Sequence, residues 1–582
     1  MSSFTNQQDE TTLLHGGQVP DPSTGARAVP IYQTTSYVFN NTEHAQNLFG
    51  LSEAGNIYSR IGNPTVDVFE QRIAQLEDGV AAVATSSGMA AISFAILNIA
   101  GSGDEIIADS NLYGGTYNLF AHTLPRYGIA VKFVDGSNLE EIKNAITDKT
   151  KAIFGETITN PSLNIFDVEA VSTIAHQHGI PLIIDNTFAP YLTKPLTWGA
   201  DVVVHSATKW IGGHGTTIGG VVVDGGRFNW NNSRFKGFTE PQESYNGLRF
   251  IDVGAAAFAT KLRVELLRDI GACLSPQSAF QLLQGLETLH LRIEKHTKNA
   301  QEIAAYLADH PAVEWVNYPG LQNHPSHQLA KKYLKDGYGS IITFGIKGGR
   351  EAGRKLIDSI SLWSHVANVG DAKSLIIHPA STTHQQLNPE ELKSSGVSEE
   401  LVRLSIGLEA TSDLLSTLDE AINQAVGKTT NQKPSEKDAI EWLVRSPFDR
   451  SDGTVRQKAI AVYTEENNRE VNKAIEQLKA LGFLVPTIQQ EINGEENRFT
   501  QLADVPYQVD AVYVDHNVLP SDTLEQFINK QSSILWIRYP EGHTQLIENA
   551  EATGITVVSG TAPYDEFVRL RGGLPESVIA GV

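Results

Sequence analysis

The chain has 582 residues, with 45 Lys and Arg against 67 Asp and Glu, a formal charge of −22 that is split between residues 1–428 (−13) and 429–582 (−9). Neither part is basic, which argues against nucleic acid as a partner. Hydrophobic residues at 41% and charged residues at 19% exclude wholesale disorder, and no apolar run reaches the ~18 residues of a membrane span.

Residues 1–12 are polar and acidic, without the apolar core of a signal peptide or the basic character of a transit peptide, so a cytoplasmic protein is expected. Residues 1–60 are rich in Asp, Asn, Pro and Gly and read as an extended arm. From there Val66, Phe69, Ile73 and Leu76 recur at helical spacing. Short apolar runs at 81–85, 105–108, 130–134, 151–154, 181–184, 201–204 and 218–223 read as strands, with helical segments such as 166–178 between most of them. That alternation predicts a mostly parallel sheet covered on both faces, a large domain over 61–265. A long helix over 279–307 and mixed α/β sequence follow, a smaller domain over 266–426. The polar stretch 427–435 opens a linker (427–449). Beyond it, candidate strands at 458–463, 483–487, 510–514, 534–537 and 554–558, with helices near 468–481 and 521–529, predict a small doubly wound domain over 450–582. The single Cys273 makes an intrachain disulfide impossible and reads as a small buried apolar residue.

Chemistry concentrates in a few places. Ser206-Ala207-Thr208-Lys209 follows a buried strand and precedes Gly212-Gly213. A desolvated lysine has a lowered pKa and can form a Schiff base with a carbonyl, and the flanking hydroxyls can donate to a phosphate; a solvated loop lysine is the alternative. Asp185 ends a buried strand, where a carboxylate wants a cationic partner such as a pyridinium nitrogen, or else caps a helix. Ser86-Ser87-Gly88-Met89 is a strand-to-helix turn whose free amides suit a phosphate, or a simple capped helix. Tyr113 beside Gly114-Gly115 suits stacking on a flat ring, or is a core tyrosine at a turn. Tyr58 and Arg60 lie on the arm, where the arginine is a phosphate fork or a surface residue. The histidines and acids show no metal-ligand spacing, and His214 and His384 read as loop residues.

These residues resemble the Cys/Met-metabolism pyridoxal-phosphate enzymes of fold type I, the cystathionine γ-synthase-like group, and within it the O-acetylhomoserine sulfhydrylase branch. The resemblance covers about residues 10–426. It runs through His15-Gly16-Gly17, Tyr58-Ser59-Arg60, Tyr113-Gly114-Gly115, Glu156-Thr157 with Asn160-Pro161, the lysine motif, Gly285-Leu286-Glu287-Thr288-Leu289, the stretch Asn368 to Pro379 with Ser381-Thr382-Thr383-His384, and Arg403 to Glu409. It implies an aspartate aminotransferase-like large domain with a smaller α/β domain. It implies that Lys209 carries pyridoxal 5′-phosphate as a Schiff base and moves protons, that Asp185 pairs with the pyridine nitrogen, that Tyr113 stacks on the ring and that Asn160 lies near the phenolic oxygen. The phosphate would be held by Gly88, Met89, Ser206 and Thr208, with Tyr58 and Arg60 arriving from a neighbouring subunit of a homotetramer. Arg403, assisted by Ser374, would clamp the substrate carboxylate. The reaction implied is γ-replacement, O-acetyl-L-homoserine and sulfide giving L-homocysteine and acetate on the way to methionine. Cystathionine γ-synthase, methionine γ-lyase or cystathionine β-lyase activity on the same fold is the alternative.

The C-terminal part lies outside that resemblance and is similar to small CoA-binding Rossmann-type domains. Where such domains place a glycine-rich turn, this chain reads Tyr463-Thr464-Glu465-Glu466, whose carboxylates repel phosphate. A degenerate scaffold used for contacts or regulation is expected, with ligand binding and a purely stabilising role as the alternatives.

Overall fold

The computed structural model describes residues 7–382, 398–427 and shorter stretches between 443 and 559. The chain divides into two compact units, Met1–Val426 and Gly427–Val582.

The first unit holds a seven-stranded sheet of β1 (Ala81–Thr85), β2 (Glu105–Asp109), β3 (Ala130–Val134), β4 (Thr150–Glu156), β5 (Leu182–Asp185), β6 (Val202–His205) and β7 (Gly220–Asp224), in the order β1-β7-β6-β5-β4-β2-β3. Strand β7 runs antiparallel to both its neighbours, and the other pairs are parallel. Runs such as Val202-Val203-Val204 are buried throughout, as a sheet covered on both faces demands. Because β4, β5 and β6 are parallel and in register, Glu156, Asp185 and the turn after His205 emerge at one edge of the sheet. The carboxyl ends of parallel strands are where α/β folds bind ligands.

A five-stranded, largely antiparallel sheet follows, built from β8 (Val313–Asn317), β9 (Ile341–Ile346), β10 (Ser364–His365), β11 (Leu375–Ile377) and β12 (Leu401–Ser405) in the order β10-β11-β12-β9-β8. Helices Leu289–Asp309, Gly349–Ser359 and Thr411–Ala425 close its core.

Two expectations need correction. The first sixty residues are not wholly extended. They contain helices Asp9–His15, whose Leu13 is fully buried, and Thr42–Phe49, started by the Asn41 side chain accepting the His44 amide. The helix expected over 279–307 is two helices, Pro276–Glu287 and Leu289–Asp309, broken at Thr288. The break is held by buried Arg292, whose guanidinium donates to the carbonyls of Gly285 (2.7 Å) and Trp210 (2.7 Å). Arg292 thereby ties both helices to the backbone that carries Lys209.

Among its described residues the second unit holds, besides the two-stranded ribbon Phe448–Asp449 and Arg456–Gln457, a sheet of six parallel strands. In chain order they are Ile460–Tyr463, Thr487–Ile488, Arg498–Phe499, Ala511–Val514, Ile534–Ile537 and Thr556–Ser559, and they stand in the sheet as third, second, first, fourth, fifth, sixth. This is a doubly wound order. The sequence suggests five strands; the added one, Arg498–Phe499, is two residues long and leaves no readable alternation. Helix Arg469–Ala480 is present. The helix expected at 521–529, residues 428–435 of the linker and Thr464-Glu465-Glu466 lie outside the described residues.

Candidate active site

At the shared edge of β4, β5 and β6 lies a cleft of about 210 Å³, to which β12 and the loop after β10 also contribute. Its floor follows from local backbone geometry. After β6 the chain folds into a tight turn in which the Gly213 amide donates to the Lys209 carbonyl (2.7 Å) and Gly212 to Ala207 (2.8 Å). Trp210 is buried, with its indole N–H on Ser340 Oγ (3.0 Å), so its neighbour Lys209 is turned into the cleft. There the Lys209 Nζ donates to Asn368 Oδ1 (2.5 Å). Burial, and then the Arg403 guanidinium, hold the lysine below its ordinary value of 10.5.

Asp185 ends β5 and accepts the Thr187 amide (2.9 Å). No helix begins there, so the helix-cap alternative falls. Burial raises its pKa. Opposite it in the β4–β5 register stands Glu156, whose Oε1 accepts the Tyr113 amide (2.6 Å) and Oε2 the Asn160 amide (3.1 Å). Burial, and then the charge of Asp185, push Glu156 well above the usual carboxylate range. Glu156 belongs to a motif noted in the sequence, but its part in this arrangement shows only when the strands are paired.

The helix Gly88–Leu97 starts with Ser87 Oγ accepting the Ala90 amide (3.1 Å). The amides of Gly88 and Met89, in the first turn, have no preceding helical carbonyl to bond. A Cβ on Gly88 would stand 2.5 Å from the Ser206 Cβ, so glycine lets this helix start approach the lysine turn. The Ser206 hydroxyl makes no hydrogen bond among the described residues. Thr208 Oγ1 exchanges hydrogen bonds with Gly219, donating to its carbonyl (3.2 Å) and accepting its amide (3.1 Å).

Tyr113 is half exposed on the cleft rather than in a core. Arg403, on β12, reaches Asn160 Oδ1 (3.3 Å), and burial lowers its pKa to about 10. Lys209, Asp185, Tyr113, Asn160, Gly88, Met89, Ser206, Thr208 and Arg403 therefore share one cleft.

Three expected site residues are not in it. Ser374 is fully buried; its hydroxyl donates to Glu409 Oε2 (2.8 Å) and accepts the Gly407 amide (2.8 Å), so its one proton is already committed and is not free for a substrate carboxylate. The polar side chain that the same sequence stretch does place in the cleft is Asn368, which the sequence marks only as the start of that motif. Tyr58 and Arg60 lie away from this chain's own cleft: the Arg60 guanidinium sits 5.3 Å from the Tyr58 ring and donates to the Arg268 carbonyl (2.6 Å). His214 bonds the Gly212 carbonyl, and Cys273 packs partly buried against the large-domain core. Thr383 and His384 lie outside the described residues. Among the described residues no group of His, Cys, Asp and Glu could hold a metal ion, and no helix is long and apolar enough to cross a membrane.

These features fit pyridoxal phosphate. Asp185 has no cation within ion-pair distance among the described residues, and a protonated ring nitrogen supplies one. Free helix-start amides beside an open serine hydroxyl suit the phosphate, and a lysine with a lowered pKa suits the aldehyde.

Comparison with known proteins agrees. A family model described as Cys/Met metabolism PLP-dependent enzyme matches residues 10–423. An O-acetyl-L-homoserine sulfhydrylase of Leptospira meyeri is 55% identical over 428 residues, 72% of this chain and 97% of that protein. A homocysteine synthase of Schizosaccharomyces pombe is 53% identical over 421 residues, 72% of this chain and 98% of that protein. The crystal structure of a putative O-acetylhomoserine (thiol)-lyase from Campylobacter jejuni, holding N′-pyridoxyl-lysine-5′-monophosphate, superposes with a TM-score of 0.70 at 43% identity, covering 72% of this chain and all of that one. Lys209, Asp185 and Arg403 meet in one cleft of this fold, and the chain belongs to the Cys/Met-metabolism pyridoxal-phosphate-dependent enzymes.

Proposed function

We propose that the chain is an O-acetylhomoserine sulfhydrylase, a transferase that converts O-acetyl-L-homoserine and sulfide to L-homocysteine and acetate. The observation that carries this reading is the convergence of Lys209, Asp185 and Arg403 on one cleft. The names of relatives matched over nearly their whole length support the choice of substrates.

Pyridoxal phosphate, when bound, supplies the electron sink that makes an amino acid's Cα proton removable. Asp185 would pair with the ring nitrogen and keep it protonated, Tyr113 would stack on the ring and Asn160 would serve its phenolic oxygen. The Gly88 and Met89 amides and the Ser206 hydroxyl would hold the phosphate, with Thr208 beside them. Arg403 binds the substrate's α-carboxylate with two parallel N–H donors. Lys209 carries the protons. Its amine, held below the ordinary lysine value, would take the Cα proton and assist removal of the Cβ proton, and after acetate has left and hydrosulfide has bonded to Cγ it would return one proton to Cβ and one to Cα. Acetate leaves as a stable anion where hydroxide would not, which explains the need for an activated homoserine.

The reading includes a cytoplasmic homotetramer in which Tyr58 and Arg60 of one subunit complete the phosphate site of the next. Their position away from this chain's own cleft supports that division.

The test supplies purified enzyme with O-acetylhomoserine together with sulfide, with cysteine, or alone. Homocysteine and acetate in the first arm are expected. Cystathionine only in the second arm, or a keto acid from the ester alone, would replace this reading with cystathionine γ-synthase or a γ-lyase.

A further inference from the structure

The helical stretch 257–270 contains a wide turn. Its α-helical start, Ala257–Leu262, passes into a π-turn, Arg263–Leu267, and then into Arg268–Ile270, with the Arg268 amide donating to the Arg263 carbonyl five residues back. The extra residue of a π-turn rotates the helix faces against each other, and such turns are frequent at functional sites. Here the Arg263 side chain and the Arg268 carbonyl reach the same short piece of the N-terminal arm. Arg263 Nη1 donates to the Ile61 carbonyl (2.8 Å), and the Arg268 carbonyl accepts from Arg60 Nη1 (2.6 Å). The Ile61 amide donates to the Tyr58 carbonyl (2.9 Å). Tyr58 and Arg60 therefore sit on one tight turn, which Arg263 holds at its far end.

Arg263 is itself anchored. Its Nη2 donates to Glu70 Oε2 (2.6 Å) and to the Ala82 carbonyl (3.0 Å), while Glu70 Oε1 accepts the Ala84 amide (2.7 Å). Strand β1 ends its sheet, with β7 on one side only, so Arg263 and Glu70 occupy two peptide groups of its free edge. Glu70 is buried on helix Pro64–Leu76. One guanidinium thus joins arm, helix and sheet. Its donors lie in a rigid plane and can hold three partners in fixed geometry, which a lysine ammonium on a flexible stem does not.

We infer that Arg263 is a positioning residue for the neighbouring subunit's cofactor site, holding the turn that presents Tyr58 and Arg60 to it. The inference rests on the reading that these two residues complete the next subunit's phosphate site; substrate and sulfur donor do not enter it. With one donor on the Arg268 carbonyl, the Arg60 fork is aimed while its other donors stay available to a phosphate. Fixing the Ile61 carbonyl, one residue on, removes backbone freedom that phosphate binding would otherwise have to restrain.

The test uses full-length chains and titrates cofactor-free protein with pyridoxal phosphate, reading the Schiff-base band. Arg263→Lys, which keeps a cation beside Glu70, is expected to raise the midpoint about tenfold. The Arg263→Lys chain is then co-expressed with an excess of Lys209→Ala chain under a second tag, and oligomers holding both are isolated. Only sites with the lysine of the Arg263→Lys chain give a band, and their arm comes from the Lys209→Ala neighbour, whose Arg263 is intact. The midpoint is expected to return to within about twofold of the parent. A midpoint that stays high in the mixed oligomer would overturn the inference, because Arg263 would then act within its own subunit through β1. A parental midpoint for Arg263→Lys alone would overturn it too. The control mixture, Arg60→Ala with Lys209→Ala, tests the underlying reading: if its midpoint is not restored, the arm does not cross between subunits. Should the lysine variant fail to fold, a chain with Arg263→Gln and Glu70→Gln, which removes both charges of the pair together, takes its place in the same mixture.

Discussion

Glu156 and Asp185 are partners in the β4–β5 register, so a buried and a half-buried carboxylate leave the sheet side by side. Glu156 also accepts the amides of Tyr113 and Asn160 and so fixes the two residues that flank Asp185 in the cleft. Its raised pKa has a consequence for stability. The folded, cofactor-free protein binds more protons than the unfolded chain above the ordinary carboxylate value of 4.5, so the stability from Glu156 is complete below that value. It is lost as the pH rises through the raised value. Urea midpoints across a pH series should fall in that direction, and Glu156→Gln should flatten the slope.

Asp185→Asn removes the charge that a protonated ring nitrogen pairs with. Affinity for pyridoxal phosphate is expected to fall about 10- to 100-fold, the size of a lost charge-assisted hydrogen bond. Equilibrium dialysis of the cofactor measures it, and unaltered affinity would remove Asp185 from the ring nitrogen.

Lys209→Ala should lose the Schiff-base absorption and at least about 10³-fold in turnover, because nucleophile and proton carrier vanish together. Appreciable homocysteine formation by this variant would contradict both roles.

Arg403→Lys keeps the charge and discards the planar fork. kcat/KM for the amino-acid substrate is expected to drop about 10- to 100-fold, read from initial rates at varied substrate. Ser374→Ala should behave in the opposite way. With its hydroxyl tied to Glu409 and Gly407, the loss belongs to stability, about 1–3 kcal/mol in urea unfolding, and KM should hold.

Sharing of the site between subunits can be read by complementation. Lys209→Ala and Arg60→Ala proteins, each impaired, are dissociated, mixed and reassociated. Mixed oligomers should regain activity, because some sites then combine an intact lysine with an intact arginine. No recovery would place Arg60 outside the neighbour's site.

The sequence by itself determined the strand runs, the mostly parallel large sheet and the family, and it pointed to Lys209, Asp185 and Arg403, which the structure gathers in one cleft. Those signals are local: an apolar run buried on both faces, a lysine among hydroxyls and glycines, an aspartate at a strand end. The tertiary structure decided the rest, because each remaining feature depends on residues far apart in the chain. Glu156 becomes the neighbour of Asp185 only through strand register, and the helix break at Thr288 depends on Arg292 reaching Trp210. Ser374 and Asn368 lie six residues apart in one motif, and nothing local says which enters the cleft. The deciding partners are Glu409 and Gly407 for Ser374, and Lys209 for Asn368, all supplied by packing across the sheet edge.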